Sequence, residues 1–223
     1  MPTTSDTTHP WGAMDHAHKG VRRPIEVLTG DEVRRLLGAY SAKAPTGVRN
    51  RALIAVMYRG GLRVSEALSL AVKDVDPDAG VITVLFGKGG KRRTVALDPF
   101  AMGLVSLWIE KRRDVARRRA WLLNGQRPLF CTLDGRPMYP NQLRTSMKLA
   151  AQHAGIDKRV HPHGLRHTMA FEMATEGVPL TIIQRQLGHS NIATTDRYIN
   201  HVAPRDIIAA VRSRPDWTAA KVA

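Results

Sequence analysis

The spacing of apolar side chains divides the chain into a polar lead, a helical first third, a short β-rich interval and a helical remainder. Residues 1–24 show no apolar period and read as a tail, with Val21-Arg22-Arg23-Pro24 leading into the fold. Thr29-Gly30-Asp31-Glu32 is a capping box, in which Thr29 caps a helix and Glu32 reaches back from three positions on. Val33, Leu36 and Leu37 then supply one buried face. A second helix is predicted from about 48 to 59, burying Leu53, Ile54, Val56 and Met57 and ending at Gly60-Gly61. A short helix carrying Arg63, Glu66, Ala67 and Leu68 follows.

The period then changes from helical to alternating. Residues 72–75, 81–86 and 92–97 are β-branched runs separated by two turn segments, which predicts a three-stranded antiparallel meander. A long helix is expected over 99–121, and Leu129–Cys131 with Asp134-Gly135 reads as a short hairpin or loop. Helices are expected over 141–154, 164–176, 179–187, 191–200 and 204–213, the last opened by Pro204. The fold class is α+β, mainly α-helical with one small three-stranded antiparallel sheet. No linker or internal repeat breaks residues 25–214, so they form one domain, and 215–223 is a second loose end.

Charge changes this picture most. The 223 residues hold 34 Lys+Arg against 19 Asp+Glu, a formal +15, which asks for a polyanionic partner: nucleic acid or an acidic membrane surface. Apolar content of 43% with 24% charged residues excludes wholesale disorder. No apolar run approaches the ~18 residues that span a bilayer. A secretory signal pattern is also missing. One cysteine, Cys131, excludes an intramolecular disulfide and fits a reducing cytosol.

Five local features could carry chemistry. Arg63 follows a glycine pair, and its plainer reading is a surface arginine paired with Glu66. Lys88, between glycines at a hairpin tip, is a projecting ammonium or simply a solvated charge. Its Gly87-Lys88-Gly89-Gly90-Lys91 setting lacks the spacing and strand-to-helix context of a phosphate-binding loop. His163 and His167, four apart in His161-Pro162-His163-Gly164-Leu165-Arg166-His167, share a helix face, yet no glutamate or third ligand makes a zinc site; histidines at a helix start more often cap or pack. Leu187-Gly188-His189-Ser190 is a helix stop followed by a connection, and Tyr198 on the next helix would by itself be core or interface.

Together these residues make a coherent set. Two arginines and a lysine can neutralise a phosphodiester in its transition state, and histidines can move a proton or hydrogen-bond the same phosphate. A tyrosine hydroxyl, with pKa ~10, can attack phosphorus when cations surround it. No Asp/Glu cluster suggests a two-metal site.

The sequence resembles the tyrosine recombinase (phage integrase) family, specifically its catalytic domain, over roughly residues 25–212. The motifs stand in the family's order: Gly-Leu-Arg-x-Ser-Glu at Arg63, Gly-Lys-Gly at Lys88, His-x-Leu-Arg-His at His163 and Arg166, Leu-Gly-His-Ser at His189, then Thr-Thr-Asp-Arg-Tyr ending at Tyr198. The resemblance implies that Tyr198 attacks a scissile DNA phosphate, leaving a 3′-phosphotyrosine and a free 5′-hydroxyl. Arg63 and Arg166 would clamp the phosphate, and Lys88 would protonate the leaving oxygen. His163 would assist proton transfer from Tyr198, and His189 would hydrogen-bond a non-bridging oxygen. Lys91 is a substitute for Lys88 if the hairpin register differs; His167 is structural and Glu66 orients Arg63. Bond energy stays in the adduct, so neither metal nor ATP nor any other cofactor is implied.

The implied partner is double-stranded DNA with a specific recombination site, bound by a tetramer across paired sites and by a monomer when DNA-free, in the cytoplasm at the nucleoid and not at a membrane. Family members usually carry an N-terminal helical domain that completes a clamp, whereas about 25 residues precede the catalytic fold here, implying a fragment or a minimal recombinase. Lys111-Arg112-Arg113 and Arg117-Arg118-Arg119 form either a phosphate-contacting helix face or a solvated one. Ile207, Ile208 and Val211 either dock into a neighbouring protomer or fold back in cis. The other functions consistent with these residues are a type IB topoisomerase and a DNA-binding module inactive without a separate core-binding domain.

Overall fold

The computed structural model describes residues 26–85, 92–119, 128–188 and 212. The tail 1–24, the end 215–223, Lys88, Lys91, His189, Tyr198 and the helices expected over 191–200 and 204–213 lie outside these residues, residue 212 excepted.

The chain opens with α1 (Gly30–Gly38), where both halves of the expected capping box form: Thr29 Oγ1 accepts from the Glu32 amide, and a Glu32 carboxylate oxygen accepts from the Thr29 amide. Val33, Leu36 and Leu37 are buried as the period requires. The second helix, α2 (Pro45–Arg59), begins three residues earlier than the apolar pattern indicates. Pro45 in the first turn pre-sets its own φ, and Ser41 Oγ accepts from the amides of Lys43 and Ala44 just ahead of it. Residues 52–57 of α2 are buried without a break, so this helix has no solvent face there and forms the centre of the domain, packed against the helices Pro99–Arg118 and Pro162–Thr175.

Arg63 is the N-cap of α3 (Val64–Ser69) rather than a residue within it. Of the first expected strand, residues 72–74 form a 3₁₀ turn and only β1 (Val75–Asp76) pairs. The reason is local: the Asp74 carboxylate accepts from the Ala71 amide at 2.8 Å and closes the chain into a turn. The remaining strands are β2 (Val81–Val84) and β3 (Arg93–Ala96), and the sheet is the expected meander in the order β1-β2-β3. Ile82 opposes Val95 and Val84 opposes Arg93, and three of these four are core-facing apolar residues.

The long helix α4 (Pro99–Arg118) is capped by Asp98, whose carboxylate accepts from the Ala101 amide. Its basic end divides three ways. Arg112 is buried and donates to the Pro128 carbonyl; Arg119 pairs with Asp134; Lys111, Arg113 and Arg118 stay at the surface. At 131–137 the chain turns at Asp134-Gly135, closed by Thr132 and a single bridge from Cys131 to Pro137. Helices α5 (Pro140–His153), α6 (Pro162–Thr175) and α7 (Leu180–Leu187) complete the described fold. No described helix is long and apolar enough to cross a membrane.

Candidate active site

Three of the six proposed catalytic residues are described, Arg63, His163 and Arg166, and the fold brings them together at the starts of α3 and α6. Helix α6 starts two residues before its apolar pattern because His161 acts as its cap. The His161 Nδ1 accepts from the Gly164 amide at 3.1 Å, and Pro162 occupies the first turn. That early start puts His163 on the first turn and Arg166 one turn inward.

Arg166 is 1% exposed. Its guanidinium donates to the Gly61 carbonyl and, at 2.7 Å, to the Leu187 carbonyl. One side chain on α6 thus ties the glycine turn that presents Arg63 to the end of α7. Gly61 makes this approach possible: it has φ +65°, and a Cβ there would stand 2.7 Å from Leu187 Cδ2. Gly188 ends α7 in the left-handed region, as the sequence predicts for a helix stop.

His163 touches His167 edge to face, ring centroids 4.2 Å apart, which assigns buried His167 a packing role. Although His163 is exposed as a residue, partial desolvation holds its pKa below the ordinary 6.5, and the positive charges of Arg166, His161 and Arg63 lower it further. The imidazole is therefore neutral near pH 7 and able to accept a proton.

Glu66 is the carboxylate at the bottom of the site. Its side chain is 2% exposed and takes four hydrogen bonds: from the Arg63 amide and Nη1, both at 2.8 Å, and from Arg93 Nη1 and Nη2 at 2.9 and 2.8 Å. Burial pushes its pKa up, but the Arg93 hydrogen bonds, the Arg63 amide and the two positive charges outweigh burial and bring it to about 2. The expected pairing of Arg63 with Glu66 is thus present. Arg93 was not singled out in the sequence.

The sign of this shift fixes a stability prediction. A carboxylate with a lowered native pKa stabilises the fold above its unfolded value near 4.5, and that contribution is lost as pH falls through 4.5 towards 2. The shift corresponds to roughly 3 kcal/mol. Glu66→Gln is expected to unfold at a lower temperature than wild type at pH 7, and the two melting curves should converge as pH approaches 2. Melting temperatures that stay equally far apart at every pH would contradict the pairing.

Outside this cluster, a groove of about 460 Å³ runs beside His161, lined by Arg144, Lys148, Lys158 and Arg159 among others. Lys158 is committed to Glu32 and the Val27 carbonyl. The arrangement as a whole is one part-exposed guanidinium, one buried guanidinium and a neutral imidazole beside a basic groove. It can bind a tetrahedral oxyanion and take up a proton.

A three-stranded antiparallel meander within a mainly helical domain is the architecture the sequence predicts, with two arginines and a histidine gathered at the starts of α3 and α6. A profile of the phage integrase family matches residues 26–205, and the chain belongs to that family. It is 36% identical over 183 residues to tyrosine recombinase XerC of Halalkalibacterium halodurans, an alignment covering 82% of this chain and 60% of the relative. Among solved structures, it is similar to the XerA recombinase, with TM-score 0.71, 28% identity, and coverage of 86% of this chain and 66% of that one. It is also similar to the XerH site-specific recombinase bound to palindromic difH substrate, with TM-score 0.67, 28% identity, and coverage of 85% and 53%. The chain spans about 60% of the length of the curated relatives it matches.

Proposed function

We propose that residues 25–214 are the catalytic domain of a site-specific DNA recombinase, with 1–24 and 215–223 outside it. The observation that carries this reading is Arg166. It is a buried cation whose hydrogen bonds join the Arg63 turn to the helix leading into His189, beside a neutral His163. A site built from cations in a low-dielectric setting favours a phosphate that gains negative charge during reaction.

In this mechanism the Tyr198 oxygen attacks the scissile phosphorus, forming a P–O bond and breaking the bond to the 5′-oxygen. The phenolic proton passes to His163, and Lys88 supplies a proton to the leaving 5′-oxygen. Arg63, Arg166 and His189 hold the non-bridging oxygens. A 5′-hydroxyl from the partner duplex reverses the step, so no metal or nucleotide cofactor enters. The basic groove beside His161 supports backbone contacts to double-stranded DNA. The enzyme acts as a tetramer across paired sites, as a monomer without DNA, and in the cytoplasm at the nucleoid.

The test uses suicide duplexes nicked near the centre of inverted repeats in the DNA flanking the gene, together with a pool of randomised sequence. A detergent-resistant adduct at the 3′ side of the break is expected. Relaxation of plasmids without recombinant product would instead indicate a topoisomerase. No adduct, even with an N-terminal domain supplied, would indicate a binding module.

The lowered pKa of His163 sets the acid limb of this reaction. A proton acceptor must be neutral, so the acid limb of the cleavage rate should be centred below 6.5. A single-turnover pH profile checks this; a limb centred at or above 6.5 would contradict His163 as acceptor.

A further inference from the structure

Arg93 occupies a register in which a charge is not expected. On β3 it opposes Val84 and shares a face with Val95, two positions on; Val84 and Val95 are both buried. An arginine there needs a paired charge to offset its desolvation; Nη1 and Nη2 have one, while Nε is buried without a hydrogen-bond partner. Its guanidinium makes a two-pronged contact with both oxygens of Glu66, the geometry a planar fork allows and an ammonium does not.

Two further contacts make Arg93 a junction. Through Glu66 it meets Arg63, whose own side chain is 34% exposed and springs from the cap of a six-residue helix. Its amide and Nη1 both donate to Glu66, so that carboxylate ties the direction of the side chain to the helix start. The Arg93 side chain also lies against Gly188, where a Cβ would stand 2.7 Å from Cδ and Nε and 2.9 Å from Cζ. Gly188 immediately precedes His189, and the segment holding Lys88 runs directly into β3. Gln186 reinforces the same junction, its amide taking the Ala96 N–H and donating to the Ala96 carbonyl.

We propose that Arg93 is a positioning residue for the phosphate site. It orients the Arg63 guanidinium by fixing both oxygens of Glu66, and it packs on Gly188 at the end of α7. It touches no reacting atom. The proposal rests on the recombinase reading for its effect on rate, but its geometric claim about Arg63 does not.

The test uses the full chain as Arg93→Gln, Arg93→Lys, Glu66→Gln and the double substitution Arg93→Gln/Glu66→Gln. On a suicide duplex captured by wild type, Arg93→Gln at saturating protein should cleave roughly 10–100-fold more slowly, the scale of a displaced positioning group. The Kd for the same duplex should stay within about twofold, because the phosphate contacts that dominate affinity remain. Arg93→Lys, which keeps the charge but loses the fork, should fall between Arg93→Gln and wild type and serves as the reference should Arg93→Gln fold poorly. The double variant should be no slower than Glu66→Gln by more than about twofold, as two residues in one pathway are not additive. Independently of cleavage, the ¹⁵Nη resonances of Arg63 in DNA-free protein should show restrained guanidinium rotation in wild type and lose it in Arg93→Gln. A folded Arg93→Gln or Arg93→Lys that cleaves at the wild-type rate, a double variant whose losses multiply, or unchanged Arg63 resonances would each overturn the proposal. If wild type captures no duplex, the recombinase reading fails, and the Arg63 resonances alone decide the role of Arg93.

Discussion

Tyr198→Phe is expected to abolish the covalent protein–DNA adduct, a loss of at least about 10⁵-fold in cleavage rate, comparable to removing the nucleophile of other covalent enzymes. Phenylalanine keeps the ring and removes only the oxygen, so DNA affinity should change by less than about twofold. Three other tyrosines could substitute in principle, and two of them are already engaged. Tyr58 donates to both carboxylate oxygens of Glu172, at 2.6 and 2.7 Å, and its pKa is raised by burial and by that carboxylate, which opposes phenolate formation. Tyr40 accepts from Ser146, and burial raises its pKa as well. Tyr139 stands exposed ahead of α5, on a different element from Arg63, His163 and Arg166. Tyr198 is the remaining phenol and the nucleophile of the proposed mechanism. The measurement is electrophoresis of protein and labelled suicide duplex under denaturing conditions. An adduct of wild-type yield from Tyr198→Phe would move the nucleophile to another residue.

The second large effect concerns Arg166, where catalysis and stability share one side chain. In the proposed mechanism Arg166→Ala removes a phosphate donor, worth about 10²–10³ in rate for a preorganised hydrogen-bond donor in other enzymes. It also leaves the Gly61 and Leu187 carbonyls without this partner inside the protein, at roughly 1–3 kcal/mol for each buried polar group left unsatisfied. Arg166→Lys separates the two roles. Lysine keeps the charge and can reach one carbonyl at a time, so it should retain most of the melting temperature while losing the bidentate geometry. Single-turnover cleavage by folded Arg166→Lys is expected to fall about 10²-fold, with a denaturant midpoint between those of wild type and Arg166→Ala. Cleavage by Arg166→Lys at the wild-type rate would show that Arg166 contributes packing alone.

What the sequence made legible was whatever a local pattern encodes. The capping box at Thr29 and Glu32, the meander between residues 75 and 96, and the stop at Gly188 all rest on residues within a few positions of one another, and all are present. The pairing of Arg63 with Glu66 was legible for the same reason. The misses share a different cause. The start of α2 depends on Pro45 and Ser41, outside the apolar period, and the lost half of β1 depends on a single Asp74 side chain capturing a backbone amide. Within His161-Pro162-His163 the apolar spacing does not say which histidine caps and which faces the site; the Pro162 register decides it. Arg93 was legible only to a reader who had already decided which face of β3 points inward. The contacts of Arg112 and Arg119 likewise depend on where residues 128 and 134 return, which no spacing along α4 reveals.

Gln186 has a consequence beyond the site. Among the described residues β3 is one of two outer strands of the sheet, and the side turned away from β2 carries backbone groups of the kind that pair with a strand from another molecule. The Gln186 side chain already takes both the N–H and the carbonyl of Ala96, imitating one residue of a fourth strand. A foreign strand would have to displace α7 to dock there. The contact that aims the end of α7 therefore also blunts the sheet against edge-to-edge aggregation.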